Sequence, residues 1–207
     1  MNSIKQIEVI YNNRLVGRLA LTREGLCAFE YSAEWLSSGF SISPFELPLR
    51  SGVFIAKPRP FEGGFGVFDD CLPDGWGLLI LDRYLQQKGI NPRTLTLLDR
   101  LALVGSTGRG ALEFRPDNSV VTRQDFADFE KLALEAEKIL ASDDYMGEGI
   151  EEFQDRGGSP GGARPKIFVR YNDKEWLVKF RAKRDSQSIG VDEYRYSLLA
   201  KECGIEM

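Results

Sequence analysis

Residues 157–166, GGSPGGARPK, place four glycines, two prolines and one serine in ten positions. No helix or sheet ladder runs through such a stretch. Proline lacks the N–H that either ladder needs, and glycine loses the most chain entropy when fixed in a regular element. The chain is therefore divided here, and a new unit starts at the apolar run that follows. That unit reads as two strands, KIFVRY and EWLVKF, around the turn NDK, and then a helix over VDEYRYSLLAKECGIEM. Helical spacing turns Tyr194, Leu198 and Leu199 of this helix inward, and Gly204 stops it.

The front of the chain has a different texture. IEVIY and RLVGRLALT flank Asn12-Asn13 and read as a hairpin, because asparagine tolerates the positive φ of a tight turn. LCAFEY gives a third strand. Residues 31–49 mix apolar positions with serine and proline and read as short irregular strands, and GVFIAKPRP adds another that its prolines end. Pro73 and Asp74 open a helix with Trp76, Leu79, Ile80, Tyr84 and Leu85 on one side, ended by Gly89. Asn91-Pro92 starts a second helix that runs to Gly105. RGALEFRP is a short strand. Residues 122–140 form an amphipathic helix with Phe126, Phe129, Ala133, Ala136 and Leu140 at helical spacing, and SDDYMGEGIEEFQDRGG is a polar connection. The class is α+β: a strand-rich front with two helices, then a helix, a glycine-rich turn, a hairpin and a helix.

Composition removes several kinds of chemistry. The 207 residues contain no histidine, which excludes Ser-His-Asp and Cys-His nucleophiles, imidazole bases and His-containing metal sites within this chain. A count of 27 basic against 31 acidic residues, net −4, leaves no cationic surplus for neutralising nucleic-acid phosphates. Three scattered cysteines, Cys27, Cys71 and Cys203, suit a reducing compartment better than a disulfide framework. The first residues lack a signal peptide's apolar core and no run reaches transmembrane length, so the cytoplasm is the expected location. Trp35, Trp76 and Trp176 sit among apolar neighbours and are expected in the core. The RAKRD cluster reads as a surface loop, STGRG as a turn, and the pairs Asp69-Asp70 and Asp143-Asp144 as solvated acids.

The glycine-rich stretch admits two readings. It is either a plain connection or a nest whose consecutive amides point at an anionic oxygen. It lacks the spacing of a Walker A loop. Alternation along EWLVKF puts Trp176, Val178 and Phe180 on one face and Leu177, Lys179 and Arg181 on the other. A lysine midway along a strand after a glycine-rich turn either lies in solvent or grips nucleotide phosphates, as in kinases. Glu193, early in the last helix, either favours the helix N-terminus or pairs with Lys179.

Taken in order, GGSPGGARPK, EWLVKF and VDEYRYSLLAKECGI resemble the N-lobe of HipA-type serine/threonine kinases, the toxin half of bacterial toxin–antitoxin pairs. EVIYNNRLVGRL, FEYSAEWL, SISPFELPL, FDDCLPDGWG and LALVGSTGRGALEFRP are similar to the subdomain that precedes the kinase core in that family. The resemblance implies an N-terminal subdomain over residues 1–118 and an incomplete kinase-like N-lobe, a β-hairpin plus helices, over residues 119–207. It matches Gly161, Gly162, Ala163, Arg164, Pro165 and Lys166 to the phosphate-cradling loop. Lys179 matches the lysine on the nucleotide phosphates, and Glu193 an acidic residue that orients it. Ser159 matches the serine that family members autophosphorylate, which pushes the loop outward and stops the kinase. The best-known members carry Gln-Glu where this chain has Arg164-Pro165. Pro160 and Pro165 supply no N–H to a nest.

The same resemblance implies ATP and Mg²⁺ as cofactors, with the catalytic aspartate and the metal ligands in a helical lobe downstream of the last residue here. This chain alone is then a fragment expected to be inactive. Implied partners are a HipB-like helix-turn-helix antitoxin, through which DNA is met indirectly, and a protein substrate such as an aminoacyl-tRNA synthetase, with no role for a membrane. The alternative is a non-catalytic interaction module whose first hundred residues bind an antitoxin or a separately encoded kinase.

Overall fold

The computed structural model describes residues 4–119, 127–142, 145–157, 162–182 and 184–206. Strand β1 (Gln6–Tyr11) and β2 (Arg14–Leu21) form the expected hairpin, with Asn12 and Asn13 both at positive φ. Their register slips between Val9 and Ile10, which leaves Val16 as the extra residue of a bulge. With β3 (Cys27–Tyr31), β4 (Val53–Ile55) and β5 (Glu113–Arg115) they build an antiparallel sheet of order β4-β3-β2-β1-β5.

Residues 31–49 correct the sequence reading. Instead of strands, Ser32 accepts from the Trp35 N–H and starts a short helix, α1 (Ala33–Ser38). The chain then runs on irregularly, pinned by side chains: the Tyr31 hydroxyl donates to the Leu47 carbonyl at 2.6 Å, and Trp35 Nε1 donates to the Phe40 carbonyl at 2.9 Å. Short polar tethers replace a ladder, so the stretch keeps its shape without pairing.

After a one-turn helix α2 (Gly66–Asp69) comes α3 (Gly75–Gln87). The single helix expected from Asn91 to Gly105 is two elements. Asn91 caps a 3₁₀ turn, Pro92–Thr94, and Thr96 with Asp99 forms a capping box that restarts the chain as α4 (Leu97–Val104). Two good caps five residues apart leave no room for continuous helix between them. Leu98, Leu101 and Val104 of α4 pack on the sheet with Val9, Leu19, Phe29, Phe54 and Phe114, forming a first core that also takes in Trp35.

A second core gathers around α5 (Phe129–Ala141), α6 (Gly149–Gly157) and the hairpin of β6 (Lys166–Tyr171) and β7 (Lys174–Lys179). Residues 122–126 of the expected long helix lie outside the described residues. From Asp128 onward the helix begins at Phe129, because the Asp128 carboxylate accepts from the Lys131 N–H as a cap. The acidic segment read as a connection contains α6, which buries Ile150 and Phe153. Phe153 packs edge-on against Trp76 at 5.0 Å and Phe180 at 5.8 Å. Trp76 and Ile80 belong to this second core although α3 precedes β5 in sequence, and Arg83 Nη1 of α3 donates to the Ile139 carbonyl at 2.7 Å.

The hairpin turn falls on Asn172 and Asp173, both at positive φ. Its outer end is less covered than alternation suggests, and Trp176 is 53 % exposed rather than in the core. The final helix, α7 (Ile189–Glu202), has no buried residue: Tyr194 and Leu199, expected inward, are 62 % and 54 % exposed, and Leu198 is exposed too. A two-stranded hairpin offers too little surface to cover a helix. Among the described residues, no helix is long and apolar enough to cross a membrane.

Candidate functional site

The glycine-rich turn meets two neighbours, the start of α3 and the base of the hairpin. At the α3 end, Asp74 holds the N-cap position yet gives its carboxylate to no amide of its own helix. Asp74 Oδ1 instead accepts from the Gly162 N–H at 2.7 Å. The Gly162 carbonyl in turn accepts from the Trp76 N–H at 3.0 Å, satisfying a first-turn donor of α3 that the cap residue leaves open. The two chain segments thus cap one another. Such an approach demands glycine on both sides. Gly162 has φ +90° and Gly75 φ +43°. A Cβ on Gly75 would stand 2.7 Å from the carbonyl carbon and oxygen of Gly162.

At the hairpin base, Lys166 opens β6, Lys179 closes β7, and the two face each other in register. Directly opposed residues of an antiparallel pair lie on the same face with neighbouring Cβ atoms. Lys166 is buried, and its Nζ lies 3.1 Å from where a Gly162 Cβ would be. Burial pushes the Lys166 ammonium below the ordinary lysine range. Asp74 pulls it back toward the charged form, and Lys179 across the ladder pushes it down again.

Lys179 Nζ meets Glu193 Oε2 at 3.2 Å, with both side chains about half exposed. The other carboxylate oxygen of Glu193 accepts from Arg164 Nη1 at 3.3 Å, and Arg164 Nη2 donates to Asp185 Oδ1 at 2.9 Å. Asp185 also accepts from the Ala182 N–H through its second oxygen. The Pro165 carbonyl takes the Phe180 N–H at 2.8 Å, continuing the hairpin ladder into the loop.

Gly162, Ala163, Arg164, Pro165, Lys166, Lys179 and Glu193 therefore converge, while Gly161 and Ser159 lie outside the described residues, as do Asp143 and Asp144. Asp74, Gly75, Trp76 and Asp185 complete the arrangement, and sequence reasoning assigned them no place in it. The run PDGW was read only as a helix start, and Asp185 only as the end of a basic surface loop. The one local sign was the glycine directly behind the cap aspartate, a position where helices seldom need positive φ.

Chemically, this is a small cationic concavity, floored by main chain, with three cations (Arg164, Lys166, Lys179) and three carboxylates (Asp74, Asp185, Glu193). Gly162, Ala163 and Arg164 bring N–H groups and Pro165 brings none. Such a set can bind and orient anionic oxygens. Among the described residues, no group of three or more Cys, Asp or Glu side chains is placed to hold a metal ion.

A family model described as the HipA N-terminal domain matches residues 7–115, more than half of the chain. Among solved structures, the chain is similar to one in the Shewanella oneidensis MR-1 toxin–antitoxin complex of HipA, HipB and operator DNA. The identity is 21 % and the TM-score 0.48, over 83 % of this chain and 37 % of that one. This chain thus spans little more than a third of the length of the Shewanella chain. No curated protein matches the sequence.

Proposed function

The chain belongs to the HipA family, and we propose that it forms the N-terminal part of a HipA-like toxin serine/threonine kinase, binding the phosphates of ATP between its glycine-rich turn and the hairpin lysines. The observation that carries this reading is the register pairing of Lys166 with Lys179 beside Gly162, with Lys179 held by Glu193. Two ammonium groups on adjacent strands, above a loop whose main chain is unobstructed by side chains, are spaced for successive oxygens of a polyphosphate.

When bound, ATP with Mg²⁺ supplies the phosphoryl group to be transferred. The residues of this chain bind and orient. The N–H groups of Gly162, Ala163 and Arg164 line the floor, Arg164 offers a guanidinium in place of the N–H that Pro165 lacks, and Lys166 and Lys179 neutralise charge. Glu193 keeps the flexible stem of Lys179 from wandering. No Mg²⁺ ligand is assigned within this chain. Ser159, as an autophosphorylation site, would bring nearly two negative charges to a loop whose cations serve a nucleotide, and the two would compete.

The family resemblance supports a division into an N-terminal subdomain over residues 1–118 and a kinase-like N-lobe over residues 119–207. It also supports a HipB-like helix-turn-helix antitoxin as partner, with DNA met through it, and a protein substrate such as an aminoacyl-tRNA synthetase. A second reading, an interaction module without nucleotide, draws on the fact that the matched residues 7–115 enclose an apolar core of their own. Thermal unfolding with MgATP separates the two. At a hundredfold excess over Kd, binding adds about 2.7 kcal/mol, a rise of roughly 5–11 °C for a chain of this size, and Lys179→Ala removes it. A melting temperature indifferent to MgATP at saturating concentration, in a chain that still captures a protein partner, would favour the module.

A further inference from the structure

We propose that Asp74 is a built-in competitor for the phosphate site: its carboxylate holds the Gly162 N–H that a phosphate oxygen would take, and it yields when a more highly charged ligand arrives. The inference rests on the nucleotide reading above and adds a regulatory element to that site.

Three observations carry it. First, an aspartate at a helix N-cap ordinarily accepts from an amide two or three residues on. Asp74 makes no such bond and reaches 2.7 Å to Gly162, the distance of a charge-assisted hydrogen bond. Its carboxylate stands where an anionic ligand of the loop would stand. Second, the Lys166 amine lies over the same Gly162, so Asp74 satisfies both an amide and the field of an ammonium group, as a phosphate oxygen does. Third, the three cations around the loop are matched by three carboxylates. An incoming anion gains full attraction only where a carboxylate gives way, and Asp74 is the one placed on the loop amide.

The contact also joins two parts of the chain. Asp74 lies within the residues matched by the family model, and Gly162 lies beyond them. On its other side the start of α3 borders a cavity of about 580 Å³, lined by Phe61, Gly63, Leu72, Asp74, Gly75 and Arg100 among others. Displacing Asp74 from Gly162 therefore loosens the Trp76–Gly162 bond next to it and is felt at the first turn of α3. In the reverse direction, whatever shifts that turn alters the affinity of the loop.

The test is a calorimetric titration of this chain with inorganic tripolyphosphate and with ATP, comparing the unaltered protein with Asp74→Asn, which keeps the shape and removes the charge. Binding of both ligands is expected to tighten about five- to tenfold, the worth of one exposed charge-assisted hydrogen bond. If the unaltered chain binds and the variant binds equally or more weakly, Asp74 positions the loop and the competitor role is overturned while the nucleotide site stands. If neither protein binds either ligand, the nucleotide reading fails and the competitor role fails with it. A second measurement needs no variant. The Asp74 carboxyl ¹³C resonance is expected to move as tripolyphosphate displaces it, and a bound state with that resonance unmoved would overturn the proposal.

Discussion

Replacing Gly75 by alanine probes the mutual capping of α3 and the glycine-rich turn. Two effects separate cleanly here. The first is conformational: at φ +43° an L-residue costs about 1–2 kcal/mol relative to glycine. The second is the contact. The added methyl would stand 2.7 Å from the carbonyl group of Gly162 and 3.0 Å from the Ala163 Cα, all main chain, so no side chain can swing away. Relief requires the loop and the helix start to part. That loses the Trp76–Gly162 and Gly162–Asp74 hydrogen bonds, together worth about 1–2 kcal/mol at a partly exposed site. The sum is about 3 kcal/mol, or roughly 6–12 °C in melting temperature for a chain of this length. Gly89 supplies the control. It sits at φ +74° with nothing within 4 Å of a would-be Cβ, so Gly89→Ala carries only the conformational part, about 1 kcal/mol. The assay is thermal unfolding of both variants by circular dichroism, with hydrogen exchange at the Trp76 amide. Gly75→Ala is expected to melt clearly below Gly89→Ala and to expose the Trp76 amide. Equal melting temperatures with the Trp76 amide still protected would refute the reasoning.

Two other perturbations test the cores on either side of the site. Burial pushes the Asp99 carboxyl up, but hydrogen bonds from the Ile4 amide and from the Thr96 hydroxyl and amide outweigh it and hold the group below the usual carboxylate range. Its stabilisation is thus complete above the unfolded value, about pH 4, and is lost as pH falls through the lower folded value. Asp99→Asn is expected to cost about 1–2 kcal/mol at neutral pH and to flatten the acid limb of urea midpoints measured from pH 2 to 7, an outcome missed if the limb keeps its slope. Phe153→Ala removes the ring between Trp76 and Phe180 and is expected to cost about 3–5 kcal/mol, with loss of the near-ultraviolet signal of Trp76. A cost under 1 kcal/mol would mean that α6 does not pack on α3.

Much of this architecture is readable from residue chemistry acting locally. Asn12-Asn13 and Asn172-Asp173 place both hairpins because those side chains tolerate the left-handed turn. Lys179 and Glu193 meet as alternation and helix position suggest, since both follow from the backbone period alone. What escapes the sequence depends on partners distant in the chain. The acidic run ahead of the glycine-rich turn looks like a connection because Ile150 and Phe153 are its only buried side chains among charges, and Phe153 acquires its meaning from Trp76 and Phe180. Asp74 reads as an ordinary cap until Gly162 is found beside it. The last helix shows the opposite failure: spacing names an apolar face for Tyr194, Leu198 and Leu199, but no period states whether a layer exists to cover it. Residues 91–105 look continuous because apolar spacing survives the break, and the competing caps Asn91 and Thr96 decide the matter.

The central claim is that polyphosphate oxygens sit between the loop amides and the paired lysines. Amide and lysine NMR shifts recorded while ATP is titrated into this chain test it most directly. The account expects the largest changes at Gly162, Ala163, Arg164, Lys166 and Lys179, saturating together with one affinity. Saturable changes confined to the cavity around Phe61, Gly63 and Leu72, or no saturable change at the loop, would contradict it.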